Sequence, residues 1–115
     1  MNITFPVFVL LKDCGEVVKC NSVYEMQRRF EKIDIENDEY RAWDAAGHPV
    51  VMRVQKPVWL MLNAEDRNEL DHLRKVLVTF ADSAKVDLNP VDANNSSPEQ
   101  IFETIAHKLE KQQRS

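Results

Sequence analysis

Glycine is nearly absent from this chain: 2 of its 115 residues. That excludes the glycine-rich cradles that bind nucleotide phosphates, and no P-loop, G-x-G-x-x-G or G-x-S-x-G pattern occurs. Cysteine is equally scarce, at 2 residues. Cys14 falls in a predicted turn and Cys20 at the far end of the strand that follows. At about 3.3 Å per strand residue they stand too far apart for a disulfide. Their spacing is not that of a zinc site either, so two reduced thiols are expected. Long apolar runs are missing as well. The longest, "FPVFVLL" at residues 5–11, is followed at once by Lys12 and Asp13. It is far too short for a membrane span, and no basic leader precedes it. The expectation is a cytoplasmic chain with no membrane partner. Basic clusters are also lacking. There are 15 Lys and Arg against 19 Asp and Glu, a formal charge of -4, and no basic run longer than Arg28-Arg29. Arg28, Arg29 and Lys32 are interrupted by Glu25 and Glu31, which argues against nucleic acid as a partner.

What is present reads as one α+β domain over residues 1–115, with residues 110–115 as a frayed tail. Residues 5–11 and 16–20 form a hairpin, with Gly15 in the left-handed position of its turn. "NSVYEMQRRFEKI" begins with Ser22 and Glu25 spaced as a capping box. It carries Val23, Met26, Phe30 and Ile33 at helical spacing, which predicts a helix over residues 22–32. Residues 40–44, 50–55 and 58–62 read as three further strands. Asn63 reads as the cap of a second helix with the stripe Leu70, Leu73, Leu77, Phe80 and Ala84, ending between residues 81 and 85. Asp71 and Lys75 are placed to pair along it. Residues 86–88 could hold a short strand. Ser97 and Pro98 then open a last helix with Ile101, Phe102, Ile105 and Leu109 on one stripe. The predicted order is ββαβββαα: a mainly antiparallel five-stranded sheet with three helices.

Two of the strands, "FPVFVLL" and "VWLML", are apolar almost throughout, which predicts that both lie side by side in the middle of the sheet, covered on both faces. The cover is either the chain's own helices or a second copy, which makes a homodimer one expectation.

The segment "AWDAAGHPV", residues 42–50, concentrates polar and aromatic candidates. A bulged hairpin accounts for all of it. Asp44 accepts a backbone N–H, Gly47 supplies positive φ, and Pro49 opens the return strand where no N–H is needed. No catalytic residue is expected. Glu69 and His72 make a single E-x-x-H, where a di-iron bundle needs two such pairs and two further acids, so no metal or other cofactor is expected. Glu103 and His107 lie one turn apart on an exposed face. "DIENDEYRAWD" is acidic but lacks the glycine and terminal Glu of a calcium loop.

The leading functional expectation is a non-enzymatic protein-interaction domain, an acidic inhibitor or immunity-type protein or a homodimer. Its interface would comprise Asp38, Glu39, Tyr40, Arg41, Trp43 and Asp44, charge flanking aromatics as interfaces favour. The alternative is a small-molecule pocket between sheet and helices using Arg41, His48, Arg53 and Trp59. Trp59 by itself reads as core filling.

Overall fold

A computed structural model describes residues 2–55 and 60–114 of the chain. Strands β1 (Val7–Leu11) and β2 (Val17–Cys20) form the first hairpin. Its turn closes through the Gly15 N–H to the Leu11 carbonyl at 2.8 Å and the Leu11 N–H to Glu16 at 2.9 Å. Gly15 has φ +78°, which L-residues resist. Helix α1 (Val23–Arg29) is capped by Ser22, whose Oγ accepts the Glu25 N–H at 3.1 Å. Glu25 reaches back to the Asn21 N–H at 2.7 Å, a hydroxyl-and-carboxylate exchange that satisfies two donors at the helix start.

The predicted helix over residues 22–32 stops short. Phe30 is extended, at φ -116° and ψ 139°, and a separate short helix α2 (Lys32–Glu36) follows. The break shifts the helical phase. Phe30 stays buried with Met26, and Ile35, not Ile33, becomes the next core residue. Ile33, expected on the apolar stripe, is 61% exposed. The two short helices and the extended Phe30 between them bury three large side chains, Met26, Phe30 and Ile35, where one straight helix would have carried Ile35 off the core, and each such burial is worth roughly 1.5–3 kcal/mol.

Strands β3 (Tyr40–Trp43), β4 (Pro49–Arg53) and β5 (Met61–Ala64) complete a five-stranded sheet in the order β2-β1-β3-β4-β5, every neighbouring pair antiparallel. The architecture is α+β, as the pattern predicts. One face carries Val7, Val9, Val18, Cys20, Ala42 and Val50 against Met26, Phe30 and Ile35. The register places Phe8, Val17, Trp43 and Pro49 on the other face, where each is buried as well. The first three residues of the continuously apolar β1, Val7, Phe8 and Val9, are therefore buried whichever face they point to, and Leu10 and Leu11 are half-buried.

The two apolar strands are not side by side. β1 lies between β2 and β3, whereas β5 is the edge strand beyond β4, with Met61 38% exposed. The expected fifth strand began at residue 58; the observed β5 starts at Met61 and includes Asn63, and Trp59 lies outside the described residues. Asn63 pairs with Val51 instead of capping a helix. Extending the β4–β5 ladder satisfies backbone groups at every second residue, and this outweighs a local capping preference.

The chain divides into two compact units, Met1–Glu69 and Leu70–Ser115. The second contains α3 (Leu70–Ser83) and α4 (Pro98–Arg114). Helix α3 begins seven residues after the expected cap at Asn63 and buries Leu73, Leu77 and Ala81. Asp71 pairs with Arg74 at 3.0 Å. Val86 is buried, but residues 86–88 form no strand. Ser97 caps α4 through the Gln100 N–H at 3.1 Å, and Ile101 and Ile105 are fully buried. The tail expected to fray is helical as far as Arg114. Lys108 Nζ donates to the carbonyls of Asp87 and Asn89, and Gln112 Nε2 to that of Lys85, tying the last turns to the preceding loop. No helix among the described residues is long and apolar enough to cross a membrane.

Candidate functional site

The β3–β4 hairpin turns at Asp44–Gly47, where the Asp44 N–H meets the His48 carbonyl at 2.9 Å and Gly47 has φ +90°. The two strands then pair only at Trp43↔Pro49 and Ala42↔Val50. Beyond that point β3 continues along β1, and β4 continues along β5. The sheet therefore opens in its interior, not at an edge. A cleft of about 450 Å³ occupies the opening, lined by Tyr40 and Arg41 from one side and Val51 and Met52 from the other, with Lys12 and Arg67 at its margins.

Backbone parity fixes which groups face this cleft. The Glu39 carbonyl accepts the Lys12 N–H at 3.1 Å, so Glu39 faces β1. The Pro49 carbonyl accepts the Glu65 N–H at 2.8 Å, so Pro49 faces β5. Alternate residues of an antiparallel strand face opposite neighbours. Tyr40 and Met52 accordingly direct their main-chain groups toward each other across the opening, yet they form no ladder pair.

Glu69 organises the flank. Its Oε1 accepts from Arg41 Nη2 at 3.1 Å and from the Trp43 indole at 2.9 Å. Its Oε2 lies 3.3 Å from Arg67 Nε. Arg67 also meets Glu65 at 3.5 Å. The Arg41 guanidinium lies 5.1 Å from the Trp43 ring centroid. With the arginines about half exposed, each ion pair contributes at most about 1 kcal/mol. The consequence is positional: two guanidinium groups are held in fixed orientations, each with more donors than it has bonds.

An acidic rim borders the other side. Lys12 Nζ meets Asp38 at 3.1 Å. The Tyr40 hydroxyl donates to Asp34 at 3.2 Å, and its ring packs on Phe30 with centroids 4.6 Å apart. Burial, the Asp34 hydrogen bond and nearby carboxylates push the Tyr40 phenol up to about 12. Glu39 is raised above the usual carboxylate range, chiefly by its contact with Asp34 and then by the charges of Asp34 and Asp13. Exposed Ile33 shares α2 with Asp34 and Glu36.

Of the residues singled out in the sequence, Asp38, Glu39, Tyr40 and Arg41 lie together at the cleft and its rim. Trp43 and Asp44 are fully buried. Asp44 Oδ1 accepts the N–H groups of Ala46 at 3.0 Å and His48 at 2.9 Å, and Oδ2 that of Thr4 at 3.2 Å. It holds the turn. His48 Nδ1 lies 2.9 Å from the Arg67 carbonyl and pins the segment after β5. Arg53 is exposed at the end of β4 and does not line the cleft. Trp59 lies outside the described residues. Sequence reading missed Lys12, Arg67 and Glu69 at this place. No local pattern marks them, because a strand end and an irregular segment meet there only through the sheet. Among the described residues no three His, Cys, Asp or Glu side chains are grouped to hold a metal ion. Cys14 is exposed and Cys20 buried, both as free thiols, and burial pushes the Cys20 thiol up to about 11.

No protein-family model matches this chain, and neither a curated protein nor a solved structure matches it.

Proposed function

We propose that the chain is a non-enzymatic protein-interaction domain, and that its contact surface is the open end of β3 together with α2. The observation that carries this reading is Ile33. It is a large apolar side chain, 61% exposed, on a five-residue helix that also bears Asp34 and Glu36, beside Asp38 and Glu39. An apolar anchor within a charged rim is the composition of an interface. The raised Glu39 carboxyl supports the same reading, because carboxylates crowded against each other are relieved when a cation approaches. The partner would be basic at its contact surface, and association would be electrostatically steered.

The test is a rate. The partner is captured from cells that make the protein, identified, and its association measured against salt concentration. Glu39→Lys combined with Asp38→Asn is expected to slow association by about tenfold at low salt and to flatten the salt dependence. Asp38 has φ +57°, where Asn is tolerated. Asp44 stays native because it holds a turn. An association rate unchanged by the double substitution refutes the reading.

A further inference from the structure

The interior opening of the sheet is a second kind of contact surface, and the inference drawn from it rests on the interaction reading above. Sheet strands normally diverge at an edge or a barrel rim. Here β3 and β4 separate after two residue pairs, although both run on as strands, each paired to its outer neighbour. What is left between them is a gap bordered on both sides by strand backbone. Tyr40 and Met52 sit at the positions where the next hydrogen-bonded pair would form. Backbone N–H and C=O groups are obligatory hydrogen-bonding groups, and an extended chain is the ligand whose own groups match them in spacing.

The two sides of the gap differ. On the face of α2 it is lined by Ile35, Ala42 and Val50. On the other face stands Arg41, oriented by Glu69 and stacked on Trp43, with Arg67 beyond it. Side chains of an inserted strand alternate between faces. One set would meet apolar surface and the other an arginine with donors to spare. The cleft volume of about 450 Å³ lies in the range of sites that accept a short chain segment or a small ligand.

We propose that the opening between β3 and β4 receives an extended segment of the partner protein, hydrogen-bonded through its main chain to Tyr40 and Met52. Its side chains would be apolar toward Ile35 and hydrogen-bond acceptors toward Arg41. This is strand addition inside a sheet rather than at its edge.

The experiment uses the full chain, isotopically labelled, with backbone amide resonances followed during titration. The probe is a mixture of capped hexapeptides in which random Val, Leu or Ile alternates with random Asn, Asp or Thr. Main-chain pairing tolerates sequence, so the mixture acts collectively. The expected result is movement of the Tyr40 and Met52 amide resonances and at least tenfold slower hydrogen exchange at both. The same mixture with every peptide nitrogen methylated should produce neither effect. Met52→Pro, which removes the proposed donor, should abolish binding, and a native spectrum elsewhere would show that it folds. If Met52→Pro does not fold, the methylated mixture alone decides. The proposal is overturned if Tyr40 and Met52 do not respond at millimolar peptide, or if methylated peptides act equally. It is also overturned if sodium acetate or phosphate reproduces the response through Arg41 alone, which would mark a small-anion site. Absence of peptide pairing with salt-steered partner association intact removes this inference and leaves the interaction reading standing. Peptide pairing with a partner indifferent to Glu39→Lys removes the acidic contact surface and leaves the opening as the site.

Discussion

Asp44 illustrates how one side chain can look functional and be structural. It lies between a tryptophan and a histidine, yet it is fully buried and accepts three backbone N–H groups. Removing the carboxylate leaves those donors without their partner. Asp44→Ala should cost roughly 2–4 kcal/mol, read as a lowered urea midpoint. A loss below 1 kcal/mol would show that water replaces the carboxylate. Glu39 behaves in the opposite sense. Its carboxyl is raised in the folded chain, so the folded state holds that proton to higher pH than the unfolded state. The native state then binds more protons across that interval, and stability falls as pH rises through it. Below the ordinary value of 4.5 the effect is absent, and above the raised value it is complete. Glu39→Gln should therefore raise the melting temperature near neutrality and leave it unchanged in acid. An equal rise at both would assign the gain to something other than charge. The role of Asp44 as a turn acceptor was legible in the sequence. The crowding of Asp13, Asp34 and Glu39 was not, because the three meet only when the β1–β2 turn, α2 and β3 converge.

Both hairpin turns were readable at the scale of elements, because each places one of the two glycines where φ is positive, at +78° in Gly15 and +90° in Gly47. The two sites differ in surroundings. A Cβ on Gly15 meets nothing within 4 Å, so Gly15→Ala costs only the backbone strain, roughly 1–2 kcal/mol. Gly47 is buried, donates to the Asp44 carbonyl at 3.0 Å and accepts from the Glu69 N–H at 2.7 Å. Gly47→Ala should be the more destabilising, and should also disturb the segment that presents Glu69. Thermal denaturation of the two variants decides the order, and equal losses would show that strain alone operates. Helix boundaries were less legible. Ser22 and Ser97 cap helices where capping chemistry predicts. Asn63 has the same chemistry and sits in a strand, because its backbone found a partner in β4. Phe30 ends α1 without proline or glycine, because burying Ile35 required a change of phase. Neither event leaves a local mark.

For the whole chain, the apolar character of β1 raised the question of a second copy. Val7, Phe8 and Val9 are each 0% exposed in a single chain. Both faces are closed over these three residues, while Leu10 and Leu11 at the far end of the strand are half-buried. The expected mass in solution at about 100 µM is 13.4 kDa, measured by sedimentation equilibrium; in a crowded or concentrated setting the edge of β5 is where self-association would begin. A stable species of twice that mass would overturn this expectation, and loss of that species on Met61→Lys would place the contact at β5.

The amino-acid order alone determined the α+β class, the two glycine turns, the serine caps and the burial of the first strand, because each follows from interactions within a few residues or from an unbroken apolar run. Only the tertiary structure decided that β5 lies at the rim, that β3 and β4 part after two pairs, and that Glu69 gathers Arg41, Trp43 and Arg67. Strand order and register depend on which distant segments win each other's backbone groups, and that competition is settled across the sheet rather than along the chain.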